Sequence, residues 1–147
     1  PRPSVVVKEL ARVLKPGGIL AFSTWPKELF MGKFFKLIES FSQPLPLEVA
    51  SPVLWGDMAI IEDRLKDHFD HIEFARDTMF APTMSPAHML KLFEKNAGPL
   101  ANLVKALADD PAKLSNLRNA ALVLIEKFFS NNFLRQDFLM TRCVKKT

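Results

Sequence analysis

The chain is short of the residues that most often carry cross-links, metal binding and phosphate recognition. It has one cysteine, Cys143, in 147 residues, so no intramolecular disulfide can form and a reducing cytoplasm is the expected home. It has no tyrosine and three histidines, His68, His71 and His88. His68 and His71 stand beside Asp67 and Asp70 in what reads as a solvated turn, far in sequence from the cysteine, so no metal-ligand spacing is present. Of the five glycines, none falls in a G-x-G pattern. That leaves no glycine-rich turn through which the main chain approaches a nucleotide phosphate. No apolar run nears the roughly 20 residues of a membrane span, and the opening Pro1-Arg2-Pro3-Ser4 does not read as a secretory signal.

Charge of one sign is also scarce. The formal net charge is +4, and the basic residues are scattered among acidic ones, as in Lys8-Glu9. A nucleic-acid surface requires lysines and arginines gathered on one face, so no nucleic-acid partner is expected. The densest basic spot, Lys145-Lys146, reads as a solvated tail.

What the chain does have is apolar residues, 48% against 24% charged, with thirteen phenylalanines and two tryptophans. Length and composition suit one compact globular domain, and the helix, KPGG turn and strand that open the chain read as one arm of an α/β crossover. Val6, Val7, Leu10, Val13 and Leu14 recur at helical spacing over 4–14, and Lys15-Pro16-Gly17-Gly18 stops that helix. Ile19 to Thr24 reads as a mostly buried strand. A Phe-rich helix covers 28–41, and Gln43-Pro44-Leu45-Pro46-Leu47 reads as an extended, proline-stiffened connection. Asp57 suits the N-cap of a helix whose stripe is Ile61, Leu65 and Phe69. Strands are expected at 71–80 and 134–144, and helices at 86–96, 99–107 and from 110 to about 129, with Asn131-Asn132 turning the chain.

The stretch from Glu9 to Trp25, with its helix, KPGG turn and apolar strand, resembles the segment that follows the cofactor site in class I S-adenosylmethionine-dependent methyltransferases, including those of ubiquinone and menaquinone biosynthesis. Ser51-Pro52-Val53-Leu54-Trp55-Gly56-Asp57 is similar to the lead into the next helix in a small-molecule subset of that family. Ser85-Pro86 and Asn96-Ala97-Gly98-Pro99-Leu100 resemble its helical insertion before the final strand.

The resemblance implies the C-terminal part of a Rossmann-like fold. Its last strand would run antiparallel between the fifth, at 19–24, and the sixth, at 71–80. It also implies that 26–56 is a lid-like segment and 85–130 a helical insertion. The family's glycine-rich cofactor turn, and the acidic residue that grips the ribose, have no counterpart here. The chain is therefore expected to be a truncated fragment, inactive alone, with S-adenosyl-L-methionine the cofactor of an intact parent and none held by these residues.

In the resembled fold the end of the fifth strand meets the substrate, which makes Thr24, Trp25, Phe30, Phe34 and Trp55 the expected substrate-lining residues, with Phe35 beside them. A Phe-rich cover favours a small, apolar or amphipathic acceptor. The same aromatics equally serve to pack a lid onto the sheet. No catalytic acid, base or nucleophile is expected, because methyl transfer from a sulfonium is an in-line displacement that depends on alignment.

Two further expectations concern partners. Strand 19–24 lacks a neighbour on one side, so a homodimer through that strand and helix 4–14 is expected. Met79, Met84 and Met89 offer either ordinary core or an adaptable groove for a partner helix. The alternative to an enzyme part is a non-catalytic oligomerising or ligand-binding module derived from a methyltransferase.

Overall fold

The computed structural model describes residues 2–44 and 49–147. In chain order its elements are α1 Pro3–Val13, β1 Ile19–Thr24, α2 Phe30–Phe41, a 3-10 turn Pro52–Gly56, α3 Met58–Leu65, β2 Phe69–Pro82, α4 Pro86–Asn96, α5 Gly98–Ala106, α6 Pro111–Glu126, β3 Phe129–Ser130 and β4 Phe133–Lys145. The α/β class stands. Most of the 43–47 connection lies outside the described residues.

The sheet runs β1-β4-β2, with the short β3 paired to β4. β4 lies antiparallel to β1, in a register from Ile19 opposite Val144 to Thr24 opposite Leu139. The last long strand is thus central, between the other two, the position that the family resemblance implies.

The chain divides into two compact units. The first takes in Pro1–Lys27, Leu45–Asp77 and Asp137–Thr147. Its core joins Val7 and Ala11 of α1, Ile61 and Leu65 of α3, Phe69 of β2, and Leu139 and Cys143 of β4. Proline at the first turn starts α1, since its missing N–H would be unpaired there anyway. Gly17 takes φ +73°, open to a residue without Cβ. The turn is then tied to the end of β4: the Gly17 N–H donates to the Lys145 carbonyl at 3.0 Å, and the Lys145 N–H to the Gly18 carbonyl at 2.8 Å. Lys145 Nζ also donates to the Leu14 carbonyl at 2.7 Å, satisfying an acceptor at the helix end. Lys145 therefore closes the sheet instead of trailing as a solvated tail, and the Lys146 N–H bonds the His68 carbonyl at 3.0 Å.

Three more details differ from the sequence reading. Strand β1 is covered on one face only: Leu20, Phe22 and Thr24 are half-buried while Ile19, Ala21 and Ser23 are exposed. In α1, the buried stripe is Val7 and Ala11, and Val13 stays 64% exposed. Helix α3 ends at Leu65, so Phe69 opens β2 instead of closing the helix; its aromatic ring still enters the same core.

The second unit takes in Glu28–Pro44 and Thr78–Gln136. Phe30, Phe34 and Ile38 of α2 pack with Met89, Leu90, Leu100, Leu103, Leu107, Leu117, Ala121, Ile125 and Leu134. Ser85 and Asp110 cap α4 and α6 by accepting from the His88 and Lys113 N–H groups. Helix α6 stops at Glu126, and a two-residue turn, Asn131-Asn132 at φ +48° and +61°, joins β3 to β4. Paired positive φ is the geometry that a tight hairpin requires.

Candidate functional site

The end of β1 is where the first unit concentrates its unusual side chains. Thr24, the last strand residue, sits on the covered face, and its Oγ1 is buried with no hydrogen-bond partner among the described residues. Thr141 Oγ1, on the same face of β4, is in the same condition. Just past the strand, the Trp25 main chain lies against Gly56: a Cβ added there would stand 2.6 Å from the Trp25 carbonyl carbon. Only glycine permits this approach, and it brings the two tryptophan-bearing segments together.

Trp55, one residue before that glycine, meets Phe22 edge-on, with centroids 5.8 Å apart and planes at 87°. The Arg64 guanidinium lies over the Trp55 ring, 4.6 Å from its centroid. Partial burial pulls the Arg64 pKa down, and its Nη1 has no hydrogen-bond partner among the described residues. Asp57 completes the corner. It pairs with Lys27 at 2.5 Å and accepts from the Ala59 and Ile60 N–H groups, capping α3. The Lys27 hydrogen bond is the main reason its carboxyl titrates below the ordinary range.

Of the expected substrate-lining residues, Thr24, Trp25 and Trp55 are thus gathered near the end of β1 in the first unit. Phe30 and Phe34 belong to the core of the second, at 0% and 1% exposure. They stack on each other at 5.6 Å, and Phe93 lies 5.0 Å from Phe34. They present no surface to a ligand; Phe35 is half-buried. Arg64 was not singled out by the sequence. A lone arginine on an amphipathic helix carries no pattern, and its stacking on Trp55 depends on the Gly56 turn.

Elsewhere the three methionines separate: Met89 is core, whereas Met84 is 74% exposed and Met79 is also exposed. Met84 borders an open depression of about 390 Å³ with Pro82, Thr83, His88, Asn132 and Phe133. There His88 Nδ1 lies 3.0 Å from Thr83 Oγ1. Among the described residues no group of three histidine, cysteine or acidic side chains is placed to hold a metal, and no helix is long and apolar enough to cross a membrane.

No protein-family model matches the chain. Uncharacterized protein Rv1403c of Mycobacterium tuberculosis (strain ATCC 25618 / H37Rv) is 25% identical over 141 residues, which are 95% of this chain and 52% of that protein. Uncharacterized protein Rv1405c of the same strain is 22% identical over 147 residues, 99% of this chain and 54% of its own length. The chain spans about half the length of the curated relatives it matches.

Proposed function

We propose that the chain is the substrate-side portion of an S-adenosylmethionine-dependent methyltransferase acting on a small, apolar or amphipathic molecule. The observation that carries this reading is the strand order. A helix, a KPGG turn and a strand lead in, and the final antiparallel strand lies between that strand and the next. This is the arrangement that the sequence resemblance implies. A substrate-lining role for Thr24, Trp25 and Trp55 is supported by their gathering near the carboxyl end of β1, since open α/β sheets bind ligands beyond the carboxyl ends of their strands. S-Adenosyl-L-methionine would then be held by residues that this chain does not carry.

The experiment is a transfer assay with methyl-labelled S-adenosylmethionine and a small-molecule cell extract. It is run with the full-length mycobacterial relative Rv1403c and with this chain alone. Label entering the low-molecular-weight, organic-soluble fraction with the relative, and not with this chain, is the expected result. Label confined to protein or nucleic acid, or no transfer by the relative, overturns it.

A second reading, a self-associating module, is favoured by the surface of α1 and β1. Val6 and Val13 on α1, with the half-buried Leu10 between them, continue the apolar arc beyond the buried stripe, and Ile19 is 54% exposed. Strand β1 carries no charge and no proline to guard its edge. On this reading the chain forms a homodimer through β1 and α1. A monodisperse monomer in light scattering at micromolar concentration contradicts it.

A further inference from the structure

We infer that the depression beside His88 is a binding site for a small, neutral, apolar molecule that carries a carbonyl oxygen. Every residue involved belongs to the second unit, so the site stands apart from the methyltransferase reading.

The imidazole sets the polar half of the ligand. His88 Nδ1 lies 3.4 Å from the Met84 main-chain nitrogen and 3.0 Å from Thr83 Oγ1. A main-chain N–H can only donate, so Nδ1 keeps its lone pair and the ring proton sits on Nε2. Two further bonds hold this pair in place. The His88 N–H donates to Ser85 Oγ at 3.1 Å, and the Thr83 N–H donates to the Asn132 carbonyl at 2.9 Å. The ring is thus tied both to the start of α4 and to the β3–β4 hairpin. Its Nε2–H is the donor left over, open to solvent and without a partner among the described residues.

The apolar half follows from the walls. Pro82, Met84 and Phe133 line the same depression of about 390 Å³, and all three are exposed. Phe80, also exposed, meets Phe133 edge-on at 6.3 Å and extends the apolar surface. Large apolar side chains gathered in water gain free energy when a ligand covers them, and the unbranched Met84 adapts to the shape of what it meets. With a neutral imidazole the lining carries no formal charge, so nothing there offsets the cost of desolvating an anion. A neutral carbonyl oxygen accepts from Nε2–H while its apolar body rests on Phe133, Met84 and Pro82.

The test titrates this chain with acetophenone, with ethylbenzene as its oxygen-free counterpart and with benzoate as its anionic one, each at millimolar concentration. The isotope-labelled methyl groups of the six methionines are followed by NMR, with the Met84 signal assigned by Met84→Leu. The expected result is a saturable shift of the Met84 signal with acetophenone and at least about threefold weaker binding of ethylbenzene and of benzoate. In His88→Leu the preference for acetophenone over ethylbenzene is lost. No Met84 response to acetophenone, binding of ethylbenzene or benzoate as tight as that of acetophenone, or a preference retained in a folded His88→Leu chain overturns the inference. The three-probe comparison uses the wild-type chain, so it decides the matter even where the variant does not fold.

Discussion

Gly56 rests on the main chain of Trp25, and a single added Cβ at Gly56 would come within 2.6 Å of the Trp25 carbonyl carbon. Backbone cannot swing aside as a flexible side chain does, so Gly56→Ala is expected to lower stability by about 1–3 kcal/mol. Gly98 provides the control, because a Cβ there meets nothing within 4 Å. Gly98→Ala is expected to be neutral or to stabilise by up to about 1 kcal/mol through the unfolded chain. Urea unfolding midpoints of the two variants check both.

Thr141 is fully buried and its hydroxyl has no partner among the described residues. Replacing an unpaired buried hydroxyl by a methyl removes a desolvation cost and leaves the shape intact. Thr141→Val should therefore raise stability by about 1 kcal/mol, whereas Thr141→Ala, which removes a methyl group as well, should lower it. Thermal or urea denaturation distinguishes the two directions.

The Asp57 carboxyl titrates below its ordinary 3.8, chiefly through the hydrogen bond from Lys27. A folded-state pKa depressed in this way gives stability that is present above the ordinary value and lost as pH falls through the depressed one. Unfolding free energy measured from pH 5 downward should thus fall more steeply below pH 3.8 in the wild type than in Asp57→Asn. Asparagine still caps α3 but carries no titrating charge. Equal slopes in the two proteins refute the assignment.

Burial pushes the Cys143 thiol up from 9.0 to about 11, so at neutral pH it is both protonated and inaccessible. A thiol reagent at pH 8 should label the native chain only at the rate of opening, and label it fully in denaturant. The sign of the pH effect follows. The unfolded thiol ionises first, so its contribution to stability is complete below pH 9.0 and declines as pH rises toward about 11. Cys143→Ala should flatten that decline.

Strands were the most legible part of the fold. Ile19 to Thr24 is uncharged and bounded by Gly18 and Pro26, and it forms a strand over those same residues. The expected central position of the last strand came from family resemblance and not from periodicity, which says nothing of strand order. Helix ends were less legible. Phe69 and Phe128 continue a helical period, yet Lys66-Asp67-His68 turns the chain before one, and the Phe129–Leu134 hairpin claims the residues after the other. The signal for that hairpin was present, since Asn131-Asn132 tolerates the positive φ that a two-residue turn demands.

Part of the candidate site's geometry was legible. Thr24, Trp25 and Trp55 lie in three positions that a tight turn and one glycine bring near each other. For Phe30 and Phe34, an aromatic at every third or fourth position marks a buried face without saying what buries it. Here the answer is α4 and α6 of the second unit, through Met89, Leu90, Leu117 and Ala121. Arg64 was invisible, because stacking on an indole is a property of the folded turn and leaves no spacing in the sequence.

Binding of S-adenosylmethionine by calorimetry tests the central claim most directly, with this chain and full-length Rv1403c titrated side by side. The account predicts saturable binding, with release or uptake of heat, by the longer protein and none by these residues alone. Saturable binding to this chain by itself contradicts it, because the end of β1 would then hold the nucleoside as well as its acceptor.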